Sequence, residues 1–418
     1  MKLRDLDKGF VKKINGIQSL PTLGGDPEFF VANNRGTILA SDKFFPGKEN
    51  KIMFAAKEPI GADKRNKLFF DGIQAEINVG VTTCREYFTD NVYRCLNKAA
   101  EIIGIGNKII LKPSVKVRKE VILMADPEAR RFGCMPDFNA YTRTTSTGEI
   151  DATKHPYRYA GGHIHMGMSS KYLGSDSPEC RMAKTEEGHI ALIKLLDLLV
   201  GIPSVLLDNS ESAVRRRSNY GKAGCFRPTP YGVEYRTPSC FWIKAPELVS
   251  LIIGLARLAW TLGAYDLRKE FLEKVKYEEQ AVRETIDNSD MVKANEIWLA
   301  MRPYMALLGR DCTNPLNIKS IRTSKYGYIS SDYTGLKGKM PHIVEGGKPV
   351  HGLASFEYII DNGLAAIFSD DVATEWLVGK DNRWQGGDRR GFINGMYHRL
   401  VGNSDFLKFQ ASLLKDVI

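Results

Sequence analysis

The sequence predicts an α+β fold, with strands and helices interleaved over the first 240 residues and helices dominating just after them. Three observations lead there. Short apolar or alternating runs are punctuated by turn signals such as Asn33-Asn-Arg-Gly36 and Asp71-Gly72. Longer segments carry apolar residues at helical spacing. From about residue 268 the chain becomes charge-dense, then rich in Gly, Lys and Ser. One soft boundary follows, with a core over 1–268 and a helical, loop-rich C-terminal region, 269–418, set on or beside it.

In chain order, Glu28–Ala32 and Thr37–Ala40 form a hairpin around Asn33–Gly36, where Gly36 supplies a positive φ. Leu68–Val79 turns at Asp71-Gly72 and continues as a strand from Ile73. Tyr87–Ile103 is a helix. Gly162–Ser169 and Gly232–Pro238 are short strands. Met182–Val200 is a helix with Ile193, Leu196, Leu199 and Val200 on one face, ending at Gly201 and Pro203. Pro246 opens a helix that runs over Glu247–Asp266, and Arg268–Asn295 is a helical stretch with a solvated face. Trp298–Leu308 is apolar around Pro303, and Thr313–Val350 is loop-like, a place where substrate selection could reside.

The chain has 418 residues, 43% hydrophobic and 26% charged, which excludes a disordered, collagen-like or coiled-coil protein. A net charge of +10 favours an anionic partner. The seven cysteines form no CxxC pair, so a reducing, cytoplasmic setting is expected. The first residues show no signal peptide. Ile190–Leu207 and Leu248–Ala264 are the most apolar stretches, and charges interrupt both, so no membrane partner is expected.

Four segments concentrate residues that bind metals and phosphates. In Gly24-Gly-Asp-Pro-Glu-Phe-Phe30, Asp26 and Glu28 are two apart and share one strand face, which suits Mg²⁺ or Mn²⁺; a plain turn is the alternative. In Phe70–Asn78, Gln74, Glu76 and Asn78 form one polar face, or simply the solvent side of an amphipathic strand. In Gly161-Gly-His-Ile-His-Met-Gly167, His163 and His165 point to one side and can share a metal or phosphate, or serve a metal-dependent hydrolase. Ser212–Val233 holds Arg215, Arg216, Arg217, Lys222 and Arg227 with no acid, a phosphate grip or a solvated loop. Tyr220, Phe226 and Tyr231 would let that segment stack on nucleic-acid bases. Glu234 and Arg236 then alternate on a strand. The ordered set is the inventory of a kinase or transferase that uses ATP with two divalent metals. Neither GxxxxGK[ST] nor a GxGxxG following a strand is present.

Together these segments resemble the phage-type COOH–NH2 ligase (amidoligase) family of the glutamine synthetase-like carboxylate–amine ligase superfamily. Its patterns GxDPEFF, DGxxxE, GGHIHxG and YGxEYRxxS are matched between Leu23 and Trp242. The resemblance implies a curved antiparallel sheet forming a funnel with helices outside, ATP at one mouth, and two or more Mg²⁺ or Mn²⁺ ions. It implies Asp26, Glu28, Glu76, His163 and Glu234 as metal ligands, and His165, Arg227 and Arg236 as catalytic residues. Arg215, Arg217, Tyr220, Lys222, Arg227 and Arg236 would contact ATP. The reaction implied is amide formation from a carboxylate and an amine through an acyl phosphate, releasing ADP and phosphate. The sequence departs from the synthetases in having Asp at position 26 instead of Glu, and in lacking a counterpart of the acidic loop that deprotonates ammonium. Oligomeric state is open, since related synthetases form rings, dimers or monomers. Two other readings stand beside this one: a basic nucleic-acid-binding or structural protein on a retained scaffold, and a hydrolase built on the HxH pair.

Overall fold

The computed structural model describes residues 8–312 apart from positions 16, 18, 20, 58, 61–63, 132–136, 147–151, 153, 170–172 and 245, and adds two short strands, 344–345 and 348–349. The expected loop 313–350 lies outside the described residues except for that strand pair. The architecture is α+β, helices packed on an antiparallel sheet.

The helix α1 is Lys8–Asn15. Then come β1 (Thr22–Asn33), β2 (Ile38–Leu39), β3 (Ile52–Ala55), β4 (Arg65–Asp71), β5 (Gln74–Thr82), α2 (Arg85–Ile103), β6 (Asn107–Ile110), β7 (Ser114–Lys116) and α3 (Lys119–Met124). The middle of the chain gives β8 (Asp137–Asn139), β9 (Thr145–Ser146), β10 (Tyr157–Tyr159), β11 (Gly162–Gly167), α4 (Pro178–Lys184), α5 (Glu186–Leu196), α6 (Ile202–Leu207) and α7 (Glu211–Asn219). It continues with β12 (Cys225–Thr229), β13 (Gly232–Tyr235), α8 (Pro246–Ala264), α9 (Arg268–Val275), α10 (Glu279–Asp287) and α11 (Met291–Cys312). The main sheet runs β3-β4-β5-β1-β11-β13-β12-β8-β9, with β2 and β6 pairing the far half of β1. Every pairing in it is antiparallel.

The expected hairpins are present. Val31 pairs with Leu39 across a turn in which Gly36 has φ 75°, and Asp71 pairs with Gln74 around Gly72 at φ 71°. Period-2 alternation does the sorting: Ala75, Ile77 and Val79 of β5 enter the core, and Gln74, Glu76 and Asn78 take the other face. Helix α2 lays Phe88, Val92, Leu96 and Ala99 on the apolar face, and α8 is buried along most of its length.

Three helical expectations need correction. The single helix expected over Met182–Val200 is split, because Thr185 ends α4 and caps α5, its hydroxyl accepting from Gly188 N–H at 3.1 Å. The helical path does not stop at Gly201 and Pro203. A π-turn over Asp197–Gly201 leads into α6, and Pro203, which has no N–H to donate, sits just after the π-turn. The stretch expected as one helix over Arg268–Asn295 breaks at Lys276 and Ser289, which take left-handed φ of 59° and 52°. Its last part is the start of α11, which runs on through position 303. The expected boundary after 268 falls at the first residue of α9, and Phe271, Ile286, Ile297 and Trp298 beyond it join the same buried core. The run Glu186–Leu207 is long and apolar enough to cross a membrane, but 89% of its most apolar window is buried within the protein.

Asp197, fully buried in the π-turn, ties the helical layer to the sheet. It accepts from Tyr235 Oη at 2.8 Å, Gly224 N–H at 2.7 Å and Thr237 Oγ1 at 3.3 Å. Burial pushes its carboxyl up to about 7 despite those donors. An unfolded Asp titrates near 3.9, so between about pH 4 and 7 the folded state binds the extra proton and stability falls as pH rises. Asp197→Asn is therefore expected to flatten the decline of the urea midpoint between pH 5 and 7 relative to wild type. Gly162 is a second pressure point, since a Cβ there would lie 2.1 Å from Ser239 O and 2.4 Å from Trp242 Nε1. Gly162→Ala is expected to cost about 1–3 kcal/mol by overpacking, read from denaturant unfolding.

Candidate active site

The sheet's register assembles the polar residues on one face. Asp26 of β1 lies opposite His163 of β11, and His165 lies opposite Glu234 of β13, which faces Arg227 of β12. On the other flank of β1, Glu28 lies opposite Glu76 of β5, which faces Phe69 of β4. Residues directly opposite in antiparallel strands point to the same side, so six strands contribute to one cleft.

The first cluster centres on Asp26. Its Oδ1 is 3.1 Å from His165 Nε2 and 3.3 Å from His163 Nδ1, and His163 Nδ1 is 3.5 Å from Glu234 Oε1. Burial alone would raise the Asp26 pKa, but the two imidazoles hold it well below the usual range. In return Asp26 lifts His165 well above its ordinary value against the desolvation cost. His163, buried and near Arg236, is lowered. Tyr hydroxyls orient both rings: Tyr220 Oη is 2.6 Å from His163 Nε2, and Tyr231 Oη is 2.6 Å from His165 Nδ1. Arg236 donates to Tyr220 Oη at 2.7 Å, contacts Glu234 closely, and places Nε 2.6 Å from Asp137 Oδ1. Arg227 reaches Glu234 Oε2 at 3.1 Å. Glu234 is lowered, with His163 and Arg236 outweighing burial and the neighbouring Asp26 charge.

The second cluster is Glu28, Asp71 and Glu76, with one oxygen from each within 4.8 Å of the others. Glu28 accepts from the Gly161 N–H, and Asn78 Nδ2 donates to Glu76 at 2.9 Å. Burial and the nearby Asp71 charge push Glu28 up to about 7. Burial, then Asp26, Asp71 and Glu28, raise Glu76 well above its ordinary value. Lys48 sits 2.7 Å from Asp71 as the local counter-charge. Since Asp26 and Glu28 are two residues apart on a strand, the clusters are about 7 Å apart along β1.

These donor sets fit hard divalent cations. Three mutually repelling carboxylates gain from a shared cation, and an all-oxygen group suits Mg²⁺ or Mn²⁺. In the other group Asp26, His165 and Glu234 offer ligand atoms within 4.8 Å of one another. Asp26 Oδ1 and His165 Nε2 are buried without a well-directed hydrogen bond, as atoms aimed at a metal would be. Carboxylate with imidazole admits Mn²⁺ as well as Mg²⁺. Both groups open on a cavity of about 620 Å³.

Residues 185–302 match the model of a family described as phage phiEco32-like COOH.NH2 ligase-type 2. The chain is similar to the phage COOH–NH2 ligases. That match supports a carbon–nitrogen ligase, and it takes in Arg227, Glu234 and Arg236. No curated protein matches the chain. Among solved structures, a bifunctional glutathione synthetase from Pasteurella multocida is similar at 10% identity and a TM-score of 0.34. The likeness covers 85% of this chain and 57% of that one, so the chain spans just over half its length. A score at that level carries no weight for fold or activity.

Set against the phage ligase pattern, Asp26, Glu28, Glu76, His163, His165, Tyr220, Arg227, Glu234 and Arg236 converge on the cleft. The tight metal-ligand group contains His165, which the resemblance set nearer phosphate, while His163 touches both carboxylates beside it. Arg215, Arg217 and Lys222 are not in the cleft. Consecutive helical residues diverge by about 100°, so three arginines in a row cannot face one ligand. Arg215 stacks over Tyr157 at 4.5 Å and pairs with Glu211 in a separate basic cavity. Arg217 is buried against the Asp208 carbonyl. Arg216 donates to Thr237 O at 2.7 Å and Pro238 O at 2.9 Å, bracing the strand end after Arg236. Lys222 is exposed, its carbonyl accepting from Thr237 Oγ1 at 2.9 Å. Sequence reasoning missed Asp71, hidden as the first residue of a turn signal, and also Asp137 and Lys48, which carried no local signal. With Mn²⁺ as probe, the full chain is expected to bind at least two ions, and Asp26→Asn and Glu76→Gln are each expected to lose one, read by isothermal titration.

Proposed function

We propose that the protein is an ATP-dependent carboxylate–amine ligase that forms an amide through an acyl phosphate, on a sheet shaped as the mouth of a glutamine synthetase-like funnel. What carries this reading is the pairing of two hard-donor clusters on one sheet face, flanked by Arg227 and Arg236 and overlapping the family match at the Glu234 strand of the first cluster. A carboxylate is a poor acyl donor because oxide is a poor leaving group. Its oxygen attacks the γ-phosphorus, ADP departs, and the amine nitrogen then attacks the acyl carbon and expels phosphate as it loses a proton.

Bound at these clusters, Mg²⁺ or Mn²⁺ would neutralise the triphosphate and the acceptor carboxylate as they approach. The chain's own part is electrostatic and positional. Arg236, fixed by Asp137, Glu234 and Tyr220, holds a guanidinium beside the first cluster. His165 lines the cavity beside Asp26, its Nε2 available to a cation bound at the first cluster. Tyr220 and Tyr231 keep the two rings from rotating away. The acceptor and amine are small molecules or peptide groups, and nucleic acid is not required by this chemistry.

Glu28→Gln and Glu234→Gln are each expected to lower ATP-dependent turnover by about 10²-fold or more. The assay is ADP release with candidate carboxylates, and hydroxylamine trapping of the acyl phosphate identifies the intermediate. Undiminished ATP turnover in both variants would overturn the reading.

A further inference from the structure

The ligase reading leaves a charge unaccounted for. Nucleoside triphosphate brings about four negative charges into a cleft already lined by carboxylates, and such polyanions are held by side-chain cations as well as metals. The arginines expected to do this at 215 and 217 point elsewhere. Arg236 and Arg227 are engaged with Glu234, and Arg236 also with Asp137. The described lining of the cavity nevertheless holds four Lys or Arg side chains, and all lie between residues 48 and 67: Lys48, Lys51, Arg65 and Lys67.

Their arrangement is regular. On β4, period-2 alternation puts Arg65, Lys67, Phe69 and Asp71 on the cleft face, the face shared by Glu76 and Asn78 of β5. Lys51, just before β3, places Nζ 4.5 Å from the Phe69 ring centroid, and Lys48 lies 5.9 Å from it. A cationic wall thus runs alongside the second carboxylate cluster, with Lys48 tied to Asp71. The same cavity includes an apolar portion formed by Ile60, Val81, Met168 and Leu173, suited to a nucleobase.

We propose that Lys51, Arg65 and Lys67 on the β3–β4 hairpin grip the polyphosphate of the nucleotide, in the place sequence reasoning gave to Arg215 and Arg217. This rests on the ligase reading. The test is calorimetric titration of AMP, ADP and ATP, with excess Mg²⁺, into the full chain. Wild type is compared with Lys51→Gln/Arg65→Gln/Lys67→Gln, with the charge-retaining Lys51→Arg/Arg65→Lys/Lys67→Arg, and with Lys108→Gln/Lys112→Gln/Lys116→Gln. The last removes the same charge from the separate basic cavity. ATP binding is expected to weaken about tenfold or more in the first variant, with AMP changed by less than about threefold, and to persist in the other two. Thermal midpoints matching wild type exclude misfolding as the cause. ATP affinity within about twofold of wild type in the first variant overturns this inference and leaves the ligase reading standing; so does an equal loss in the distant variant, which would make the effect one of net charge. Wild type that binds no nucleotide overturns the ligase reading itself, and this inference with it.

Discussion

Buried like charges govern this molecule. Asp26, Glu28, Glu76 and Glu234 are brought onto one face of a sheet, three of them nearly excluded from water, and carboxylates so placed repel one another strongly at low effective dielectric. Every compensating feature answers that repulsion. The imidazoles of His163 and His165 stand against Asp26, Arg236 and Arg227 stand against Glu234, and Lys48 stands against Asp71. The compensation is uneven. The Asp26–Glu234 side is charge-balanced by the protein, and its carboxylates stay ionised. The Glu28–Asp71–Glu76 side is short of positive charge, and Glu28 and Glu76 are pushed toward the protonated form. A divalent cation would answer that shortfall.

Holding such a face together needs a rigid backing. The apolar side of the sheet is covered by α2 and α5, with α8 packed against both, and their buried side chains join one core. Two polar devices join the layers where apolar packing alone would leave strand ends loose. Asp197 gathers donors from the turn before β12, from β13 and from Thr237, and Arg216 caps the carbonyls that follow Arg236. Trp242 adds a third by donating to the Gly162 carbonyl at 2.9 Å, with glycine required there because no Cβ fits. The histidine strand is thereby clamped on both edges and from behind, which keeps His163 and His165 in register with Asp26 and Glu234.

The proposed reaction uses this arrangement directly. Joining a carboxylate to an amine through phosphoryl transfer requires two anions to meet, and the main barrier is their mutual repulsion together with water's competition for the acyl phosphate. A cleft with a floor of carboxylates suited to a divalent cation, a fixed guanidinium on one side and a lysine–arginine wall on the other would meet the first requirement. The partial enclosure of the cavity and its apolar portion favour the second. The match to the phage ligase model begins at residue 185, so it reaches the strand of Glu234 and Arg236 and leaves the histidine and Asp26 strands to be judged on their geometry.

Much of this was legible in the sequence for a local reason. Alternation along a strand has a period of two whatever surrounds it, so Asp26 with Glu28, Gln74 with Glu76, His163 with His165, and Glu234 with Arg236 were bound to share faces, and Gly36 and Gly72 marked their turns. Helix limits were less legible, because Thr185, Lys276 and Ser289 break runs whose apolar periodicity continues across them. Three consecutive arginines looked like one phosphate grip, but helical geometry sends them in three directions, and only packing decides that Arg216 and Arg217 serve the backbone. Asp71, Lys48 and Asp137 entered the site through strand pairing and loop placement over long sequence separations. The sequence by itself determined the chemistry available and the side of each strand that carries it. Only the tertiary structure decided which strands became neighbours, since register and layer packing depend on contacts between residues far apart in the chain.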